Sequence, residues 1–240
     1  MATLPEIVAR LKSLRDPMIA AHSQGFFKTG KGEYGAGDRF LGIRVPVLRQ
    51  LVREYRGIPS RTLWALLRSP WHEARLLSLL MLVDRYRRAD EHGQAEIYTR
   101  YLANLRYVNN WDLVDSSAPD IIGAHLARRD AAPIFGLAAS DNLWQRRIAI
   151  IATFHFIKHH SFEHTLALAE LLLNDSEDLI HKAVGWMLRE VGNRDRTTLE
   201  RFLRRHARRM PRTMLRYAIE RLPEARRRAY LRGQRPGATA

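Results

Sequence analysis

The chain contains no cysteine among its 240 residues, so disulfides, thiolate metal sites and a cysteine nucleophile are excluded. It also lacks any run approaching the roughly 18 consecutive apolar residues that a membrane-spanning helix requires. Its N-terminal segment has no signal-peptide pattern. We therefore expect a cytoplasmic protein that does not insert into a membrane.

Acidic residues are scarce relative to basic ones. The sequence has 40 Lys and Arg residues against 25 Asp and Glu residues, a formal net charge of +15. Between Arg201 and Arg232 there are 12 arginines and only two acidic residues, Glu220 and Glu224. This surplus predicts a basic C-terminal face and a polyanionic partner, with nucleic acid as the first candidate. An arginine-rich composition shared by all proteins of the same source is the alternative explanation.

The spacing of apolar residues predicts an all-α protein. They recur at intervals of three and four along nearly the whole chain, and no sustained alternation indicates a strand. Turn and capping residues divide this pattern into segments of roughly 8 to 18 residues, which we expect to form short paired helices. The dividing residues are Pro5, Pro46, Ser60, Asn110, Asp141, Ser161, Asp175, Asp195 and Pro211.

Three segments share a polar start and an apolar continuation, and they begin at Trp71, Trp144 and Ile180. A repeat of about 35 to 40 residues explains their spacing if one copy, near Trp111, is skipped. This period is typical of HEAT-like helical pairs, in which each repeat buries its apolar face against its neighbours.

The chain is long enough for one domain or one elongated array of repeats, and a second independent domain is not expected. We therefore predict a single domain over residues 1–233. The last residues, 234–240, have the composition of a flexible tail.

The stretch from Lys28 to Gly42 interrupts the helical pattern, because it contains five glycines. It is predicted to be a loop. Its cations, which include Lys28, could contact a DNA backbone. An ordinary loop between helices is the alternative, since the glycine spacing is not that of a P-loop.

The most unusual local sequence is Asn-Asn-Trp-Asp-Leu-Val-Asp-Ser, which begins at Asn109. Asn110 is a predicted N-cap for a helix that continues to Leu126. Trp111 and Asp115 are four residues apart, so this helix would present an indole and a carboxylate on one face. Taken alone, the pattern also fits a core tryptophan and an acid placed favourably near a helix N-terminus.

Two further clusters combine aromatic and cationic residues. Arg147 follows Trp144 by three residues, and an arginine just inside a helix can project to solvent and grip a phosphate. Lys182, Trp186 and Arg189 are spaced to place an aromatic ring between two cations, which suits contact with a DNA backbone. A surface ion pair for Arg147 and a core position for Trp186 are the alternatives.

These clusters together resemble the AlkD-type bacterial alkylpurine DNA glycosylases. The shared motifs, in chain order, are Asn-Trp-Asp-x-Val-Asp, Ser-Asp-Asn-x-Trp-x-x-Arg and Lys-Ala-x-Gly-Trp-x-Leu-Arg-Glu, preceded by Phe-Leu-Gly-Ile at Phe40. The resemblance covers the chain from about Phe26 to Glu190. It implies a C-shaped α-solenoid of HEAT-like antiparallel helix pairs, with a basic concave groove for duplex DNA.

The resemblance also assigns roles to residues. The catalytic carboxylate falls on Asp115, the groove tryptophans on Trp111 and Trp186, and the phosphate-binding arginine on Arg147. Phe26 falls where relatives often have a tyrosine close to the lesion, and Tyr34 could serve instead.

The implied reaction is hydrolysis of the N-glycosidic bond of N3- or N7-alkylated purines in duplex DNA, leaving an abasic site. Such purines are positively charged and leave as neutral bases, so one carboxylate, Asp115, can suffice where glycosidases use two. We expect it to stabilise charge on the deoxyribose and to orient water. We expect Trp111 and Trp186 to face the cationic sugar.

We expect no cofactor and no metal. The ten histidines show no His-Glu-x-x-His pattern and are predicted to be solvated or to face DNA. The expected protein is a monomer that associates with the nucleoid when bound to DNA. Two alternatives are a non-catalytic HEAT-repeat protein that binds distorted or branched DNA, and a scaffold for protein interactions.

Overall fold

The computed structural model describes residues 2–234 of the chain. Within that range it is helical without strands, and its one β-bridge joins Arg39 to Trp71. The predicted all-α class is confirmed, and the arrangement is consistent with an α-solenoid. None of the described helices is both long and apolar enough to cross a membrane. Of the predicted tail, residues 235–240 lie outside the described residues.

The chain divides into two compact units, Met1–Ile121 and Ile122–Ala240. The first unit contains α1 (Leu4–Ser13), α2 (Pro17–Phe26), α3 (Val45–Glu54), α4 (Ser60–Leu67), α5 (His72–Arg88), α6 (Glu91–Ala103) and α7 (Trp111–Asp115), with a 3-10 turn at Leu105–Tyr107. Helix α5 forms the centre of this unit, because it packs against α3, α4, α6 and α7. Its residues Leu77, Leu79 and Leu82 are almost completely buried.

The second unit contains α8 (Ala124–Leu126), α9 (Ala132–Ala138), α10 (Leu143–Lys158), α11 (Glu163–Leu171), α12 (Asp178–Gly192), α13 (Arg196–His206), α14 (Arg212–Ala218) and α15 (Glu224–Leu231). Helices α10, α12 and α14 pack in succession as one row. Helices α9 and α11 pack against α10, and α13 packs against α12, as a second row. Such paired rows are typical of helical-repeat proteins.

A glycine sets the distance between α12 and α14. A Cβ atom on Gly185 would lie 2.5 Å from the backbone oxygen of Met214 and 2.5 Å from the Cβ of Tyr217. Since real Cβ contacts are longer than this, only glycine permits the two helices to approach so closely. This explains why a glycine precedes Trp186 in the third motif.

The three similar segments identified in the sequence form α5, α10 and α12, the longest helices in the described chain. The single helix predicted from Asn110 to Leu126 is wrong. Helix α7 ends at Asp115, a π-helical turn covers Pro119–Gly123, and α8 follows. Pro119 has no N–H to donate and its ring disfavours a continuous helix, which explains the break.

Candidate active site

Trp111 lies at the start of α7, where its half-buried ring contacts two phenylalanines. Phe27 stacks on the indole, with ring centroids 5.1 Å apart and planes inclined by 16°. Phe26 meets it edge-on at 5.8 Å and 73°, and Phe26 itself is 59% exposed. Contacts of this kind are worth about 0.5 to 1.5 kcal/mol each beyond the area they bury. They hold the plane of the indole while part of the ring stays accessible.

The predicted N-cap of α7 is confirmed, and the cap is itself anchored. Asn110 is completely buried, and its side-chain oxygen accepts a 2.8 Å hydrogen bond from the backbone N–H of Trp111. Its side-chain nitrogen donates to the carboxylate of Asp38 at 3.0 Å. A cap of this type stabilises a helix by about 1 kcal/mol.

His72, at the start of α5, lies between two carboxylates. Its Nδ1 is 3.0 Å from Oδ2 of Asp38, and its Nε2 is 2.7 Å from Oδ2 of Asp112. The histidine side chain is only 2% exposed. A neutral imidazole has one N–H, whereas a carboxylate can only accept, so both ring nitrogens carry protons. The ring is therefore an imidazolium.

The electrostatics of the cluster agree with this protonation. Burial acts against the charged ring, but hydrogen bonds to Asp112 and Asp38 outweigh it and raise the pKa of His72 to about 9. Burial likewise acts to raise the pKa of Asp38, yet the hydrogen bond from His72 and the charge of Arg75 lower it to about 2. Arg75 also donates a hydrogen bond to Asp38. The cluster thus balances two cations with two carboxylates.

Aromatic rings cover the imidazolium. The ring of Phe40 stacks on His72, with centroids 4.5 Å apart, and the centroid of Phe27 is 5.1 Å from that of His72. Because aromatic faces are negative, they favour a cation at this position. Phe27 contacts both His72 and Trp111, so it links the buried cluster to the accessible indole.

The predicted glycine-rich loop has no regular secondary structure and brings Asp38 and Phe40 to the cluster. Glu73 holds the end of the loop, because its carboxylate accepts hydrogen bonds from three backbone N–H groups, those of Leu41, Gly42 and Ile43. Gly42 has φ +83°, and a Cβ there would lie 2.1 Å from the backbone oxygen of Asp16. Only glycine fits this position.

Two residues singled out in the loop lie near Phe26. Lys28 is exposed and adopts a positive φ of 50°. The hydroxyl of Tyr34 donates a 3.5 Å hydrogen bond to the backbone oxygen of Phe26. A tyrosine hydroxyl is therefore present beside Phe26, although it comes from the loop and not from α2.

Helix α12, in the second unit, carries the Lys182, Trp186 and Arg189 cluster. Trp186 is half-buried, and its Nε1 donates to a carboxylate oxygen of Glu190 at 3.3 Å. Lys182 pairs with Asp178 at 2.8 Å, and Arg189 forms an ion pair with Glu220. Both cations therefore already have anionic partners in this structure.

The expectation that Arg147 projects to solvent is wrong. Its side chain is buried, and its Nη1 donates a 2.7 Å hydrogen bond to the backbone oxygen of Leu179. Helix α10 is buried on most of its circumference, and Arg147 lies on the buried part. Its neighbour Arg146 pairs with Asp175 at 2.6 Å.

The structure groups some of the predicted site residues. Phe26, Lys28, Trp111 and Asp115 belong to the first unit, where Trp111 and Asp115 share α7. The others belong to the second unit, and they are Arg147, Lys182, Trp186 and Arg189.

The sequence reasoning missed the buried cluster. The prediction that the histidines are solvated or face DNA is wrong for His72, His125 and His206, which are buried. The available signal was the polar start of α5, where His72, Glu73 and Arg75 precede a long apolar stretch. The partners could not be predicted, because helical periodicity gives no information about contacts with a distant loop.

Within residues 2–234, no group of three or more histidine, aspartate or glutamate side chains is placed to hold a metal ion.

One comparison with known proteins identifies a family. Residues 7–222 match the family model described as DNA alkylation repair enzyme. No curated protein sequence matches the chain at a significant level. A solved structure described as a predicted DNA alkylation repair enzyme from Enterococcus faecalis is similar to this one, with a TM-score of 0.66 and 17% sequence identity. The similarity covers 88% of this chain and 97% of the other, and it shows a shared fold. Because the family model spans most of the sequence, the protein belongs to the DNA alkylation repair enzyme family.

Proposed function

We propose that the protein is a monofunctional DNA glycosylase of the AlkD type, which hydrolyses the N-glycosidic bond of N3- or N7-alkylated purines in duplex DNA. The observation that carries this proposal is the arrangement on α7. An accessible indole, Trp111, is held in place by Phe27 and the buried cluster, and Asp115 follows one turn later on the same short helix. Membership of the DNA alkylation repair family supports damaged DNA as the substrate.

The proposed chemistry needs one carboxylate. The bond between the sugar C1′ and the purine N9 breaks, and the bonding electrons neutralise the positively charged base, which leaves without being protonated. The carboxylate of Asp115 stabilises the positive charge that develops on the deoxyribose. It then orients a water molecule whose oxygen bonds to C1′, and it accepts the proton that the water releases.

Aromatic contacts favour the same charge. The face of Trp111 stabilises the cationic sugar by about 0.5 to 2 kcal/mol through a cation–π interaction. We propose the same contribution for Trp186. Phe26 is exposed at the edge of Trp111, a position suited to contact with the nucleotide beside the lesion.

Binding to the DNA backbone is proposed for several cations. Lys28 is exposed. Lys182 and Arg189 already pair with carboxylates, and a phosphate can replace a carboxylate in such a pair at little net cost. Arg147 is the weakest proposed contact, because its side chain is buried.

Helix α13 supplies a further basic surface. Three exposed arginines on this helix and a fourth in the turn that follows it recur at intervals of three and four residues, and within the described residues none of the four forms an ion pair. The opposite side of the helix packs into the core through Leu199, Phe202 and Leu203. We propose that this surface also contacts phosphates, and we call it the α13 stripe; its members are Arg201, Arg204, Arg205 and Arg208.

The test compares the wild-type protein with Asp115→Asn in single-turnover release of base from a duplex that contains one N7-methylguanine. We expect the wild type to release the base and Asp115→Asn to be slower by about 10² to 10³-fold, with equal affinity for the duplex. Asp141→Asn, which removes an exposed carboxylate elsewhere, is the matched control and is expected to match the wild type.

The proposal fails if the wild-type protein binds the duplex but releases neither N7-methylguanine nor N3-methyladenine. That result would leave a non-catalytic protein that recognises distorted or branched DNA.

A further inference from the structure

Both residues that flank Trp111 are tied to the same buried cluster. Asn110 is held by Asp38, and Asp112 is held by His72, which also contacts Asp38. Helix α7 has only five residues and is followed by a π-helical turn. A helix this short has little stability of its own, so its orientation depends on these tertiary contacts.

We propose that His72, held as an imidazolium between Asp38 and Asp112, is a positioning residue that sets the orientation of Trp111 and Asp115. The inference rests on the proposed glycosylase function and adds a determinant of its rate. Because the side chain of His72 is buried, we expect it to make no contact with DNA. It acts through Asp112 on the first turn of α7.

The positive charge, and not the ring shape alone, makes this contact. The groups that face the ring are Asp38 from the loop, Asp112 from α7, and the rings of Phe27 and Phe40. Arg75, from α5, reaches the other oxygen of Asp38. If His72 lost its proton, a ring nitrogen would oppose a carboxylate and the cluster would keep an uncompensated buried negative charge. Asp112 would then move to find another partner, and α7 would move with it.

The proposal predicts a pH-dependent rate. The pKa of His72 is raised to about 9, so the ring should lose its proton in alkaline solution and its hydrogen bond to Asp112 should break. Base release by the wild type should therefore stay constant from about pH 6 to about pH 8 and fall as the pH rises through about 9. Uncatalysed release, measured in parallel, is subtracted at each pH.

Three variants separate charge from shape. His72→Gln keeps N–H donors without charge, and we expect base release to be slower by about 100-fold at neutral pH, with unchanged duplex affinity and no fall near pH 9. His72→Lys restores a cation and should recover part of the rate. His206→Gln replaces a buried histidine of α13 whose Nδ1 has no hydrogen-bond partner within residues 2–234, and it should behave like the wild type.

The environment of Trp111 can be measured by fluorine NMR, which does not require enzymatic activity. The protein is labelled with 5-fluorotryptophan, and the fluorine resonance of Trp111 is assigned with Trp111→Phe. We expect this resonance to shift in His72→Gln, and in the wild type to titrate together with the imidazole nitrogen resonances of His72.

The outcomes are distinct. A wild-type protein without base release would refute the proposed function, while the fluorine titration would still decide the positioning role. An unshifted Trp111 resonance and a wild-type rate in His72→Gln would overturn the positioning role. If His72→Gln does not fold, the wild type still provides a test. A Trp111 resonance that does not change as His72 titrates would overturn the positioning role.

Discussion

Protonation of His72 should make the stability of the protein fall in alkaline solution. The ring has an ordinary pKa of 6.5 when the chain is unfolded and a pKa of about 9 in the folded protein. A group whose pKa is higher in the folded state stabilises that state fully below the unfolded value, and this contribution is lost as the pH rises through the folded value. The relevant window is therefore about pH 6.5 to about pH 9.

The size of the effect follows from the difference between the two pKa values. At about 1.4 kcal/mol for each pKa unit, the difference is worth about 3 kcal/mol of the free energy of unfolding. About two-thirds of this should be lost between about pH 7 and about pH 9. Since the side chain is almost fully buried, solvent screening reduces the figure little.

The assay is urea unfolding followed by circular dichroism at several pH values, with the wild type and His72→Gln measured side by side. The difference between the two proteins isolates the contribution of His72 from the other groups that titrate in this range. We expect the difference in the free energy of unfolding between the wild type and His72→Gln to decrease as the pH rises. A difference that stays constant from about pH 6 to about pH 9.5 would refute the imidazolium assignment.

Three further perturbations test other parts of the structure. Gly185→Ala should lower the free energy of unfolding by about 1 to 3 kcal/mol, because the added Cβ would overlap α14. Gly136→Ala, on α9 where the space around the glycine is open, should raise the free energy of unfolding by about 0.5 to 1 kcal/mol. Urea unfolding measures both changes. Asn110→Ala removes a buried cap and a donor to Asp38, so it should lower the free energy of unfolding by about 1 to 2 kcal/mol and slow base release. A rate of base release equal to that of the wild type would contradict the anchoring role of Asn110. Replacing the four arginines of the α13 stripe by glutamine should reduce the magnitude of the slope of log affinity against log salt concentration by about 3 to 4 for undamaged duplex. An unchanged slope would show that this surface does not contact DNA.

The sequence predicted the regular parts of the fold because their causes are local. Apolar spacing gave α5, α10 and α12, and the side-chain oxygen of Asn110 caps α7 as expected. The same local reasoning failed at Pro119, where a continuous apolar pattern hid a break in the helix.

The site could be predicted only in part, for a different physical reason. Trp111 and Asp115 are close in sequence and share one helix, so a motif reveals them. The cluster beneath them joins Asp38, His72 and Asp112, residues 34 and 40 positions apart, and only tertiary packing brings them together. No pattern within a single helix contains that information.

The fate of the methyl group distinguishes base excision from every other repair reaction on the same lesion. A duplex carrying one N7-methylguanine with a carbon-13 methyl label is incubated with the protein, and the products are identified by mass spectrometry. A glycosylase should yield free N7-methylguanine that retains the label, together with a strand that contains an abasic site. A strand that keeps its guanine and loses the labelled methyl group, or a strand that remains unchanged while bound to the protein, would contradict the proposed function.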